Sequence, residues 1–186
     1  MMSSIAVDLN KIRAIVLDVD GVLAPSMLNL SIEGEPLRSI NVKDGYALQL
    51  AVKRGYKIAV ITGGYMPGVK ERFVNLGIKD FFMSVAEKLP KLKEWMRDNN
   101  IKADEIAYMG DDIPDIFAMR NVGLPCCPKD AAFDVKSESK WISSYSGGEG
   151  CVRDLLEQIL RCHGDWMSDN DAFGWEYKLY KLCLKI

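Results

Sequence analysis

The stretch IRAIVLDVDGVLA, residues 12–24, decides the fold. Its first half is a run of aliphatic side chains broken only by Arg13. The run is apolar at consecutive rather than alternate positions, as expected of a strand covered on both faces. It stops at Asp18, and Asp20 and Gly21 follow at once, so polar chemistry begins where the strand ends. The same pattern recurs along the chain. YKIAVIT at 56–62 closes on Thr62 followed by Gly63 and Gly64, and EIAYM at 105–109 closes on Gly110, Asp111 and Asp112. Amphipathic spacing predicts helices at 43–54, 67–76, 89–99, 113–121 and 150–162, the second stopped by Gly77. Shorter strands are expected at 81–84, 122–126 and 141–142. Strands alternating with helices through short links imply an α/β fold with a doubly wound, mostly parallel sheet. Residues 24–41 break the rhythm by alternating around Glu33, Gly34 and Glu35, which predicts a β-hairpin projecting from the sheet.

A chain of 186 residues without repeats or a Pro/Gly-rich linker is expected to form one domain, 1–186. The net charge of −2 offers no electrostatic case for nucleic acid or an anionic membrane surface. No apolar run is long enough to span a bilayer, and no secretory signal is expected. The 5 cysteines include no C-x-x-C pair, which suits free thiols in a reducing cytoplasm. A single histidine, His163, argues against a zinc site. GGYMPG at 63–68 lacks dinucleotide-fingerprint spacing. The segment 165–186 carries Trp166, Phe173, Trp175, Tyr177, Tyr180 and Leu182, an aromatic tail expected to dock on its own domain or on a neighbouring subunit.

In open α/β sheets ligands bind beyond the carboxyl ends of the strands. Three strand ends here deliver Asp18 and Asp20, Thr62, and Asp111 with Asp112 to one edge, and Lys88 enters a helix between them. Carboxylates gathered so closely repel unless a cation shares the site. Hard oxygen ligands without imidazole or thiolate suit Mg²⁺, which also takes oxygens from a substrate phosphate. An aspartate there is placed to act as a nucleophile on phosphorus. Thr62 and Lys88 are placed to hold the transferring phosphoryl oxygens, and Asp20 to move protons. Each piece alone has a plainer explanation: a turn at Thr62-Gly63, a helix cap at Asp111-Asp112, a solvated lysine. The combination, in this order, is what carries the chemistry.

The series DVDGVL, ITGG, a lone Lys88 and GDDIPD resembles the four motifs of the haloacid dehalogenase superfamily of phosphohydrolases. The resemblance implies an Asp18 nucleophile, an Asp20 acid/base, and Thr62 with Lys88 on the phosphoryl group. It also implies Mg²⁺ held by Asp18, the Asp20 backbone carbonyl and Asp111, with Asp112 or Asp115 in support. The intervals from Asp18 to Thr62 and from Thr62 to Lys88 are too short for a folded cap domain. That arrangement, with INVKDGYALQLA, VKERFVNLGI and SGGEGCVRDLLEQIL, is similar to the capless subgroup acting on 3-deoxy-D-manno-octulosonate 8-phosphate. In that subgroup hairpins of four subunits associate, so a homotetramer built on residues 24–41 is expected. Asn41, Lys43, Asp44, Gly45, Gly63 and Arg72 are the residues expected to bind a small phosphorylated sugar acid. The plainer alternatives are a turn at 41–45 with Asp44 as a helix cap, and a surface position for Arg72. Gly64 departs from the arginine that many subgroup members carry after the Thr-Gly pair, which opens the identity of the sugar acid. The expected activity is Mg²⁺-dependent hydrolysis of the eight-carbon substrate in lipopolysaccharide precursor synthesis. A nine-carbon sugar acid 9-phosphate, or a non-catalytic binding or oligomerisation module, are the alternatives. A phosphomutase is disfavoured, since it must shield its phospho-aspartate from water.

Overall fold

The computed structural model describes residues 8–174, so Trp175, Tyr177, Tyr180 and Leu182 of the expected aromatic tail lie outside the described residues. Six parallel strands form the main sheet: β1 (Ala14–Leu17), β4 (Lys57–Ile61), β5 (Asp80–Phe82), β6 (Ile106–Met109), β7 (Leu124–Cys127) and β8 (Trp141–Ile142). Between β1 and β4, the strands β2 (Asn29–Leu30) and β3 (Pro36–Leu37) pair antiparallel as the predicted hairpin. The order across the main sheet is β5-β4-β1-β6-β7-β8. The chain therefore builds outward from β1 in one direction, returns, and builds outward in the other. The switch point lies where the loops after β1, β4 and β6 diverge, and ligands bind at such a divide.

Consecutive apolar residues along each strand serve opposite faces. Ile15 and Leu17 of β1 join one core with Ile58 and Val60 of β4 and with Ala107 and Met109 of β6. Ala14 and Val16 join the other with Ala59, Ile61, Ile106 and Tyr108. The first core is covered by α1 (Val42–Lys53), α2 (Pro67–Asn75) and α6 (Cys151–Cys162), through side chains such as Leu48, Phe73 and Leu156. The second is covered by α3 (Lys88–Asn99), α4 (Ile116–Met119) and α5 (Phe133–Glu138), through Leu92, Trp95, Met119 and Val135. Coverage on both sides is why the strands read as unbroken apolar runs.

The helix expected at 113–121 is a 3-10 turn, Ile113–Asp115, running into the single turn of α4. Pro114 sits at its start, and Asp115 turns inward and is only 1 % exposed. The helix α5 was not expected. It has six residues, and Phe133 at its start is exposed, so it carries little apolar periodicity. Neither interval between the strand-end motifs holds a further domain: the first contains the hairpin and α1, the second α2 and β5. At the other end of the described chain, Trp166 is buried edge-on against Tyr46 of α1 and under the guanidinium of Arg153. No helix among the described residues is long and apolar enough to cross a membrane.

Candidate active site

The loops at the carboxyl ends of β1, β4 and β6 enclose a cavity of about 550 Å³, lined by Asp18, Asp20, Thr62, Gly63, Gly64, Lys88, Asp111, Asp112 and Asp115 among others. Every one of the residues expected to carry chemistry is therefore at one site. Gly21 makes the close approach possible. Its φ is +84°, and a Cβ there would lie 1.9 Å from Asp111 Oδ2, so any other side chain would be strained and would push the Asp111 carboxylate out of its place.

Lys88 organises the carboxylates. Its ammonium lies 2.7 Å from Asp18 Oδ2 and 2.7 Å from Asp115 Oδ1, and its side chain is 5 % exposed. Asp115 is fully engaged. Its Oδ1 also accepts the hydroxyl of buried Tyr108 at 2.8 Å, and its Oδ2 accepts the Asp111 and Asp112 N–H groups at 3.2 and 3.5 Å. Asp18 accepts the Val19 N–H at 2.7 Å on its other oxygen. Burial and the charge of Asp115 push Asp18 up to about 6 despite Lys88. Burial and the charges of Asp18 and Asp115 push Asp111 up to about 7. Burial alone would lower Lys88, but the two carboxylates outweigh it and raise it. One ammonium does not neutralise three carboxylates.

That imbalance is the signature of a cation site. One carboxylate oxygen each from Asp18, Asp111 and Asp115 lie within 4.8 Å of one another. The donors are all hard oxygens, as Mg²⁺ prefers. Asp115 accepts from Lys88, Tyr108 and two backbone N–H groups, whereas Asp18 accepts one contact on each oxygen, so Asp18 and Asp111 keep more lone pairs for a cation, with Asp115 holding them in place. Asp112 is exposed on the cavity wall.

The titrations set a pH dependence with a definite sign. A carboxyl whose folded pKa lies above its unfolded value stabilises the fold at low pH, and that contribution is lost as pH rises through the folded value. Metal-free protein should therefore lose thermal stability between about pH 4 and about pH 7 through Asp18 and Asp111. Mg²⁺, which needs both ionised, should raise Tm more at about pH 8 than at about pH 5. Thermal melts with and without Mg²⁺ at the two pH values test this. An equal shift at both would remove the carboxylates from the metal site.

Thr62 is buried at the end of β4 and accepts the Gly64 N–H at 3.3 Å, leaving its hydroxyl hydrogen for the cavity. Ser84, also on the wall, has φ +56°, a strained conformation held by its N–H to the Gly64 carbonyl.

Of the residues expected to bind substrate, Gly63 lines the cavity and the others do not. Asn41 is the N-cap of α1, accepting the Lys43 N–H at 2.9 Å, and it donates to the Gly148 carbonyl at 3.3 Å. Lys43 is exposed. Asp44 is wholly buried and caps a different helix, accepting the Arg153 N–H of α6 at 2.7 Å; burial pushes it up to about 6. The plainer capping explanation thus describes Asp44 in the single chain, with the cap on α6 rather than on α1. Gly45 faces α2, where a Cβ would lie 3.5 Å from Arg72 Nη2.

Two partners of the site were not read from the sequence. Tyr108 is one. The other is Arg38, just past β3, whose Nε and Nη2 donate to Asp20 Oδ1 and Oδ2 at 2.6 and 2.9 Å.

A buried lysine tying the carboxylates of two strand-end motifs, with a threonine hydroxyl opposite, is the geometry that the four motifs implied. The family model for haloacid dehalogenase-like hydrolases matches residues 43–128. The 3-deoxy-D-manno-octulosonate 8-phosphate phosphatase KdsC of Haemophilus influenzae is 32% identical over 156 residues, 84% of this chain and 87% of that protein. The chain belongs to the haloacid dehalogenase-like hydrolases. Among solved structures, a probable YrbI family phosphatase from Pseudomonas syringae pv. phaseolica superposes with a TM-score of 0.84. It is 30% identical, over 89% of this chain and 96% of that one. The 3-deoxy-D-manno-octulosonate 8-phosphate phosphatase of Moraxella catarrhalis, solved with magnesium, phosphate and the sugar acid, gives a TM-score of 0.81 at 30% identity, over 89% of this chain and 92% of that one. In this hydrolase family setting the cavity at the strand ends is the candidate active site.

Proposed function

We propose that the protein is a Mg²⁺-dependent phosphatase that hydrolyses 3-deoxy-D-manno-octulosonate 8-phosphate to the free sugar acid and phosphate. One observation carries the reading: Asp18, Thr62, Lys88 and Asp111 converge on one cavity of a capless chain that aligns along most of its length with phosphatases of that substrate.

In the proposed mechanism a carboxylate oxygen of Asp18 attacks phosphorus as the ester P–O bond breaks. The proton on Asp20 passes to the leaving oxygen, releasing the sugar acid as an alcohol. Asp20 then takes a proton from water as that water attacks phosphorus, the bond to Asp18 breaks, and phosphate leaves with Asp20 again protonated. Lys88 and the Thr62 hydroxyl hold phosphoryl oxygens while charge builds on them. Lys88 and the Val19 N–H also keep the Asp18 carboxylate from rotating. Mg²⁺, held by Asp18, Asp111 and the Asp20 carbonyl, would neutralise the phosphoryl group and permit an anion to approach an anion. Asp112 supports that site from the wall. Replacing Asp20 with Asn should lower kcat on an alkyl phosphate by about 10²–10⁴-fold. Rates within a few-fold of the unmodified enzyme would take Asp20 out of proton transfer.

The hairpin supports assembly as a homotetramer. Its large apolar side chains face solvent, Ile32 by 98% and Met27 by 86%, an arrangement that a monomer has no use for. Lys43 and Arg72 would then complete the substrate entrance from a neighbouring copy's side. Replacing both Leu30 and Ile32 with Lys should convert a tetramer to a monomer by sedimentation equilibrium, with a rise in KM. An unchanged mass would remove the hairpin from the interface. The described cysteines are free thiols, three of them buried, in keeping with work in the cytoplasm.

Phosphate release with Mg²⁺ over a panel of sugar phosphates tests the substrate. The expected result is the highest kcat/KM for the eight-carbon acid. Preference for the nine-carbon acid would keep the chemistry and change the substrate. No release from any member, with Mg²⁺ bound, would leave a non-catalytic module.

A further inference from the structure

Asp20 stands alone on the cavity wall in one respect. Asp18, Asp111 and Asp115 are tied together through Lys88 and the backbone, whereas the only side chain donating to Asp20 among the described residues is Arg38. The pair is two-pronged: Arg38 Nε reaches Oδ1 at 2.6 Å and Nη2 reaches Oδ2 at 2.9 Å. The Arg38 side chain is 6% exposed and that of Asp20 31%, so the guanidinium lies inside the wall and the carboxylate at its surface. A planar fork on both oxygens fixes the plane of a carboxylate as well as its position. A lysine, with one point charge, fixes position only.

The fork lies beside Gly64 on the cavity wall. A Cβ at position 64 would lie 3.3 Å from Arg38 Nη2, 3.6 Å from Asp20 Oδ2 and 2.6 Å from Met66 Cε. The wall at this point is thus shared by three chain segments: the loop after β1, the end of the hairpin and the loop after β4. The hairpin, whose apolar side chains point to solvent, also reaches inward to the proton-transfer residue through one side chain.

We propose that Arg38 is a positioning residue for Asp20, orienting its carboxyl toward the leaving oxygen. The inference rests on the phosphatase reading. Proton delivery matters in proportion to how poor the leaving group is. An alkoxide from a sugar needs the proton as the bond breaks, whereas 4-nitrophenolate departs as a stable anion. A residue that acts through Asp20 must therefore separate the two substrates, and one that merely holds the fold together must not.

The test compares kcat/KM on the best sugar phosphate of the panel with kcat/KM on 4-nitrophenyl phosphate, at saturating Mg²⁺; this quantity reads only up to loss of the leaving group and so leaves out the later step, common to both substrates, in which Asp20 activates water. For Arg38→Met the ratio of sugar to aryl rates should fall by about 10-fold or more, with KM for the sugar phosphate moving only a few-fold. Arg38→Lys should recover part of that ratio. Arg38→Gln keeps a donor on a shorter stem but cannot form the fork, and it should lower the ratio in the same direction; it serves should Arg38→Met fail to fold. Equal losses on both substrates, or a rise in KM with kcat retained, would overturn the assignment. Wild-type protein that hydrolyses neither substrate would bring down the phosphatase reading itself. Wild-type protein that hydrolyses both, with variants that leave the ratio fixed, would bring down only the role of Arg38.

Discussion

Asp18→Asn should abolish phosphate release, lowering kcat by about 10⁴-fold or more, while the protein keeps its fold. The amide is nearly isosteric with the carboxylate and its oxygen can still accept from Lys88; the Val19 N–H loses its acceptor, a local cost that leaves the apolar packing around β1 in place. It cannot attack phosphorus. The same substitution should also make the metal-free protein more stable at about pH 8, since it removes one of three crowded carboxylates whose charge the fold tolerates poorly. Asp18 is raised to about 6 by burial first and Asp115 second, so wild-type stability falls as pH climbs from about 4 through that value. The variant should lose less of its Tm over that range. Circular dichroism melts and a phosphate-release assay on one preparation check both halves. Residual turnover within about 100-fold of wild type would take the nucleophile role from Asp18.

Lys88→Met should have the largest effect on stability. It leaves Asp18 and Asp115 buried beside one another with no ammonium, where each now has an oxygen at 2.7 Å from Lys88. Removing one partner of a buried ion pair typically costs about 3–5 kcal/mol. That is a large part of the stability of a domain this size. Urea unfolding near neutral pH reads the loss, and acidification should restore part of it by protonating the two carboxyls. Activity should vanish even in the fraction that folds, since the phosphoryl oxygens lose their cation. A cost under about 1 kcal/mol would mean that Lys88 is not the keystone of the cluster.

Much of this was legible in the sequence because strand ends are legible. An apolar run that stops on Asp18, Thr62 or Asp111 fixes a side chain at the edge of a parallel sheet, and three such stops share one edge by topology. Lys88 was placed by its position at the start of a helix, where it indeed opens α3. Partners that meet only in three dimensions were not legible. Nothing local in LRSIN marks Arg38 as the partner of Asp20, and Tyr108 reads as one more apolar strand residue until its hydroxyl is seen on Asp115. Asp44 illustrates the same limit. A carboxylate in the first turn of α1 reads as a site residue or a local cap, but its oxygen goes to the N-terminus of α6, more than 100 positions away. Asp115 sits in GDDIPD like a metal ligand, yet its oxygens are taken up by Lys88, Tyr108 and the backbone. The break between the 3-10 turn and α4 follows from the same inward turn of Asp115 after Pro114.

The most direct test of the central claim is to catch the covalent step at Asp18. Enzyme turning over the eight-carbon sugar acid phosphate with Mg²⁺ would be denatured rapidly in the presence of borohydride, which reduces an acyl phosphate to an alcohol. Mass spectrometry of the peptide spanning residues 14–38 then reads the outcome. Homoserine is expected at position 18 only when both substrate and Mg²⁺ are present, and never in Asp18→Asn. Reduction at another carboxylate, or none during sustained turnover, would contradict the covalent step at Asp18.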